Sequence, residues 1–401
     1  MKRICFLVMA SLLVLASGCA QRVARCTAPE DNPAHHYLRG MDALEAGKLD
    51  LAAEKFDRAL YCDEGFSAAY GGKAMVAALR AAGLSDPRYR EVEAQQARED
   101  LEKAGKLAEG AADRFAFQVA TIRVLTALKG KEWLESAEDA YHKARGLQLD
   151  EQRLPYYEGK EAASYFMGLA YLHAYVFRKA EDKFRETLDS RRMGKWNEPA
   201  DLAWKKTSKI LRAMGGITVG DVGKRIAVQD SVSRGDLAAL LVDELKLDKL
   251  FAGRIPVKSE LAAMKAEFTP ADILTYPFRD EVMTIMKWRV RGLEPKYDQT
   301  TKAYLFKPDD KVLRGEMAFI LEDVLIKLTG NERLATAYFG QDRSPFPDVK
   351  PTSPYYNAVL NMTSRGIMEG DLSGEFRINE PVDGAEAILA VRMLQQKMNI
   401  Y

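Results

Sequence analysis

The sequence predicts an all-α protein of two repetitive modules, and three observations carry that reading. A helical spacing of small, large and small residues recurs four times between about 34 and 190. In the second half, about 199 to 401, Gly and Pro punctuate shorter helices, and two long stretches can be laid over one another. The chain has 401 residues, 47% apolar and 29% charged, enough for two or three domains with cores of their own. Its formal charge of +1 gives no sequence-wide basic field, so nucleic acid is not expected as a partner. Four Cys and four His leave little material for a metal site, and no metal or cofactor is expected.

The chain opens Met1-Lys2-Arg3, runs largely apolar from Ile4 to Leu15, and exits through Ala16-Ser17-Gly18-Cys19. A basic start, about a dozen apolar residues and a small-residue exit make a secretory signal over 1–18. The stretch is too short for a membrane span, which needs about 20 residues. Leu15-Ala16-Ser17-Gly18-Cys19 resembles a bacterial lipoprotein signal, which implies cleavage before Cys19, acylation of that Cys and palmitate among its chains. The alternative is an ordinary secreted protein with a chance Cys. No Asp follows Cys19, which in such lipoproteins resembles outer-membrane sorting, with the body facing the periplasm. Residues 19–33 then form the tether to the membrane. Loss of 1–18 removes Lys2, Arg3 and no acid, leaving a formal charge of −1. Cys5 leaves with the signal, so Cys26 and Cys62 remain in an oxidising compartment. They are expected to pair and staple the tether to the first helical hairpin; two free thiols are the alternative.

The recurring triplets are Ala52-Phe56-Ala59, Ala97-Leu101-Ala104, Ala137-Tyr141-Ala144 and Ala180-Phe184-Thr187. Positions i, i+4 and i+7 share one helix face, where the small residues let a neighbouring helix approach and the large one fills the groove. Gly40 and Gly168 each lie twelve residues before a triplet, across a break at Gly47-Lys48 and at Val176-Phe177. This is a helix–turn–helix unit repeated over 34–190. With Tyr165 to Tyr171 as the best match, it resembles the tetratricopeptide repeat, whose unit is about 34 residues. The steps between triplets here are 45, 40 and 43 residues, lengthened by loops such as Gly83–Tyr89. The resemblance implies a solenoid with a concave face that holds a protein partner. A rigid spacer is the alternative, and no polar stripe identifies contact residues.

In the second half, one stretch runs Asp272-Ile273, Pro277, Ile285-Met286, Arg291-Gly292-Leu293, Phe306-Lys307-Pro308 and Val312 to Ala318. The other runs Phe346 to Val349, Pro354 to Val359, Arg365 to Gly370, Gly374 to Phe376 and Pro381 to Glu386. A partial third copy ends Val232-Ser233-Arg234-Gly235-Asp236-Leu237-Ala238. In each unit a short helix stops near a Gly (Gly292, Gly366), and a second helix starts with an acid in its first turn (Asp236, Glu316, Glu386). These residues resemble the S-layer homology module in three copies, about 199–250, 268–330 and 344–398. The resemblance implies a three-copy helical bundle over 199–401 whose grooves hold cell-wall glycan. Its signature tetrad stands as Ser233-Arg234-Gly235-Asp236 and Leu313-Arg314-Gly315-Glu316; the third copy, Asp383-Gly384-Ala385-Glu386, keeps the acid without the Arg. An Arg at a helix start can offer its fork to a carboxylate or phosphate, with the acid two residues on holding it. Arg234, Asp236, Arg314, Glu316 and Glu386 are therefore the expected glycan-binding residues, in at most two working sites. The alternative is that each Arg only pairs with its own acid on the surface.

No catalytic constellation stands out. His35 and His36 are adjacent and face different sides of a helix, and His142 and His173 have no ligand at metal spacing. Gly215 to Gly220 lacks the Lys-Ser/Thr of a phosphate loop and reads as a turn. Asp309-Asp310 lie in a loop without an acid–base partner. The expected function is a non-enzymatic tether that joins a lipid-anchored, protein-binding scaffold to peptidoglycan or an attached polymer. The alternatives are an accessory protein for envelope assembly or secretion, using both modules for protein contacts, and a wall-modifying enzyme.

Overall fold

The computed structural model describes residue 26 and residues 28–154, 156–190, 193–215, 219–254, 266 and 268–398. The signal sequence and Cys19 lie outside the described residues. The fold is 64% helical and almost free of strands, and the chain divides into two compact units. One comprises the chain up to Ala170 together with Glu186–Asn197; the other comprises Tyr171–Arg185 and the chain from Glu198 onward.

The first unit contains α1 (Pro33–Glu45), α2 (Leu49–Cys62), α3 (Ser67–Gly83), α4 (Pro87–Leu107), α5 (Gly110–Leu128) and α6 (Trp133–Gly146). Asn32 and Asp86 cap α1 and α4 through their side chains, with Pro33 and Pro87 in the first turn, where a missing N–H is harmless. The turn between α3 and α4 is only Leu84 to Asp86, shorter than the spacing of the triplets suggests. Each helix packs on the next, and α3 also packs on α1 and α5, so the hairpins stack. The triplet faces are the seams of this stack: Ala52, Phe56, Ala59, Ala97, Ala104, Ala137 and Ala144 are buried, while Leu101 is half-buried.

Phe56 shows why small residues are needed there. A Cβ on Gly40 of α1 would lie 2.5 Å from its ring, and one on Gly72 of α3 would lie 2.4 Å away. The ring thus fills space that only glycines leave on both neighbouring helices. Gly72→Ala is expected to destabilise the unit by about 1–3 kcal/mol through overpacking. Urea unfolding should register the loss, and adding Phe56→Leu should recover part of it.

Cys26 and Cys62 are joined in a disulfide that spans 36 residues and ties the segment before α1 to the end of α2. Asp31 lies beside it, accepting from Arg58 Nη2 at 2.7 Å and paired with His36 Nε2 at 2.8 Å. With both sulfurs bonded to each other, this cluster offers no thiolate to a metal.

Helices α7 (Glu161–His173) and α8 (Phe177–Ser190) each cross the division between units. The second unit continues with α9 (Asn197–Met214), α10 (Asp221–Ala227), α11 (Arg234–Ala239), α12 (Leu247–Arg254), α13 (Arg279–Lys287), α14 (Arg314–Thr329), α15 (Tyr356–Ser364) and α16 (Gly384–Lys397). From α11 the chain passes directly into one π-helical turn, Leu240–Glu244. Glu244 in that turn accepts from the N–H groups of Gly220 and Gly223 and so satisfies the start of α10.

A short two-stranded antiparallel hairpin, β1 (Lys296–Asp298) with β2 (Ala303–Leu305), interrupts an otherwise helical unit, consistent with an all-α fold. It lies within the insertion of the middle stretch. Its turn is closed by Asp298, which accepts from the N–H groups of Thr300 and Thr301.

The centre of this unit is a ring of three backbone hydrogen bonds. Val312 N donates to Val232 O (2.9 Å), Val382 N to Val312 O (3.0 Å), and Val232 N to Val382 O (2.8 Å). Each Val is buried, and each is followed two residues later by the first residue of α11, α14 or α16. Three separate stretches therefore meet head to tail and close on themselves.

Candidate functional site

The five residues expected to bind glycan stand at the starts of α11, α14 and α16, around the valine ring. There the structure corrects their roles. Arg234 and Arg314 do not present their forks to solvent: their exposures are 3% and 2%. Arg234 Nε donates to Phe306 O at 2.9 Å, Nη1 to Gly292 O at 2.9 Å and Nη2 to Glu294 O at 2.8 Å. Arg314 repeats the pattern one stretch later, with Nε on Phe376 O and Nη2 on Glu369 O, both at 2.6 Å. Each guanidinium also lies over the ring of the Phe whose carbonyl it holds, 4.9 Å from Phe306 and 4.7 Å from Phe376. The fork that suits a carboxylate suits converging carbonyls equally well, and here Arg234 donates to three of them and Arg314 to two.

Nor do the acids act as expected. Asp236 accepts from Ser233 N at 3.1 Å while Ser233 Oγ accepts from Asp236 N, a complete capping box on α11. Glu316 accepts from Leu313 N at 3.0 Å and satisfies the start of α14. Neither holds the Arg of its own tetrad. The acid that pairs with Arg314 is Glu386 of the next stretch, and the charge of Glu316 supports Arg234 in the same sense. Burial pushes the Arg234 guanidinium down from its usual value and pushes Arg314 down to about 10.

The missing Arg of the third tetrad has a steric cause. Gly384 N donates to Gln229 O at 3.0 Å, and a Cβ on Gly384 would lie 1.7 Å from Ile226 O. The first stretch passes so close to the start of α16 that no side chain fits. Gly235 and Gly315, which follow the two arginines, are also crowded: a Cβ would meet Tyr276 Oη at 2.2 Å or Ile378 Cγ1 at 2.7 Å.

Two residues of the superposed stretches, Asp272 and Asp348, have roles in the same framework that the sequence did not assign. Asp272 accepts from the N–H groups of Phe306 (3.1 Å) and Lys307 (2.6 Å); Asp348 accepts from those of Phe376 (2.8 Å) and Ile378 (3.0 Å). Each carboxylate pins from one side the loop that an Arg holds from the other. They occupy matching places in the two superposed stretches, which was the available signal.

Burial works against ionisation of Asp348, but the backbone donors of Ile378 and Phe376 outweigh it and hold the carboxyl below its ordinary range. A lowered folded-state value contributes stability above the unfolded pKa, and that contribution is lost as pH falls through the folded value. Asp348→Asn should remove it. The variant's unfolding free energy should then change less than the wild type's between about pH 6 and about pH 3.

The first unit gathers a second cluster that the sequence did not indicate. Tyr156, Tyr157 and Trp196 pack together, with Trp196 Nε1 donating to Tyr157 O at 2.9 Å. Lys195 Nζ lies 3.2 Å from the centre of the Tyr156 ring, and burial lowers its pKa. Arg123 pairs with Glu45 at 2.9 Å nearby. Burial raises the Tyr156 hydroxyl well above the usual tyrosine value and raises that of Tyr157 as well.

Residues 345–388 match the S-layer homology domain. The matched stretch holds α15, the loop pinned by Asp348 and Arg314, the third valine of the ring and the start of α16. Domains of this kind generally bind cell-wall glycan, and their presence implies a cell-envelope or surface-associated protein. No curated protein and no solved structure matches the chain. No helix among the described residues is long and apolar enough to cross a membrane.

Proposed function

We propose that the chain is a non-enzymatic envelope lipoprotein, acylated at Cys19, that ties a tetratricopeptide-like scaffold to peptidoglycan or a polymer attached to it. The observation that carries this reading is the S-layer homology domain at residues 345–388. The repeated Arg-to-carbonyl and Asp-to-backbone contacts, together with the valine ring, support extending the module to three copies over 199–401. In this reading Arg234, Asp236, Arg314, Glu316 and Glu386 build the bundle and do not touch the glycan. The lipid and the wall act as two holds on one molecule, so a weak glycan affinity suffices at the high effective concentration the anchor provides. The stacked hairpins of the first unit are the surface for a protein partner.

The test is co-sedimentation of the chain from Ala20 onward with purified peptidoglycan sacculi, with and without attached polymer. Sedimentation with either preparation, without release of soluble wall fragments, is the expected result. Failure to sediment with both would refute the tether. Release of fragments would refute the non-enzymatic reading.

A further inference from the structure

A cleft of about 530 Å³ opens between α8 and α9, within the second unit and away from the residues discussed so far. Arg178, Trp204, Lys205 and Arg212 line it, with Glu181 and Ser208. The balance of charge is cationic. Lys205 is paired with Asp201 at 2.6 Å, and Arg178 is 3.6 Å from Glu181. Arg212 has no acidic partner among the described residues. Ser208 Oγ donates to Glu181 at 2.6 Å, which fixes the one acid in the wall. Trp204 contributes a half-buried indole whose Nε1 is screened from solvent and has no hydrogen-bond acceptor.

These features together describe a guest. Arginine forks and a lysine ask for anionic oxygens. An indole face asks for an apolar or C–H-bearing face. An acidic sugar carries both on one small ring. We infer that the α8–α9 cleft is a binding site for an acidic saccharide, with Arg178 and Arg212 on the carboxylate and Trp204 against the sugar ring. The inference rests on the reading that this protein meets wall glycan, and it adds a contact outside residues 345–388.

The test follows the indole N–H signals of the whole mature chain, from Ala20 onward, labelled with ¹⁵N-tryptophan. Trp204→Phe identifies the Trp204 signal by its loss. The probes are N-acetylmuramic acid, N-acetylglucosamine and inorganic phosphate. A saturable shift of the Trp204 signal with the acidic sugar alone is expected. In the Arg178→Gln/Arg212→Gln variant the apparent affinity should fall by about tenfold, the equivalent of one charge-assisted hydrogen bond. Arg178 is 76% exposed and Arg212 is exposed, so the variant should keep its helical content.

No shift, an equal shift with the neutral sugar or with phosphate, or an undiminished shift in the variant would each overturn the proposal. Sacculus co-sedimentation of the same proteins separates the two readings. Wild-type chain that sediments while Trp204 stays silent removes the cleft and keeps the tether. A Trp204 response without sedimentation keeps the cleft and removes the tether.

Discussion

Arg314→Ala is expected to lower the folding stability of the second unit by about 3–5 kcal/mol, the range for removing one partner from a buried ion pair. The change strands Glu386 and strips the carbonyls of Glu369 and Phe376 of their donor at a site only 2% exposed. Urea unfolding followed by circular dichroism measures it. Arg314→Lys should not restore the loss, because an ammonium cannot reach separated carbonyls and a carboxylate with a planar fork. The expected pattern of binding is equally specific. Under conditions where the variant is still folded, it should sediment with sacculi as the wild type does. A fully stable Arg314→Ala protein with lost binding would return the guanidinium to the ligand site.

Gly384→Ala is the second large effect. The added methyl would lie 1.7 Å from Ile226 O and 2.6 Å from Ile226 C, so backbone and not a side-chain tip must move. Such overpacking exceeds the usual range of about 1–3 kcal/mol for an inserted methylene. It falls where Gly384 N donates to Gln229 O, so the closure between the last stretch and the first should open. The measurement is hydrogen exchange at Val232, whose N–H donates to Val382 O across that closure. Its protection should fall well before that of residues in α3 of the other unit. Gly384→Arg should be worse than Ala, although it would match the residues at positions 234 and 314.

The helical faces were legible because helix periodicity places i, i+4 and i+7 together whatever the partner is. Ala52, Phe56 and Ala59 lie on a buried seam for that reason. The acids at helix starts were legible as helix-start features, and Asp236 and Glu316 do satisfy those starts. The arginines were misread because a guanidinium has the same donors for a ligand as for a loop, and only burial decides between them. Sequence spacing does not report burial. A clue was present in Gly235 and Gly315 immediately after them, since a glycine inside the first turn of a helix signals a neighbour too close for a side chain. The valine ring had no signature at all. It is made by main-chain groups, which every residue carries, and it joins stretches far apart in the chain. The α8–α9 cleft was hidden for a related reason. Arg178 and Arg212 fall in different modules of the sequence and line one cleft only once α8 and α9 pack.

The valine ring also has a temporal consequence. Val382 follows Val232 by 150 residues (382 − 232) as the chain is made from its amino end, yet its carbonyl accepts from the Val232 N–H. A partly delivered chain holds an open arc whose first stretch still lacks its donor and acceptor partners from the final one. Contacts of such long sequence separation form late and slowly. The second unit thus carries its own delay, because the ring cannot close until the stretch that holds Val382 is in place.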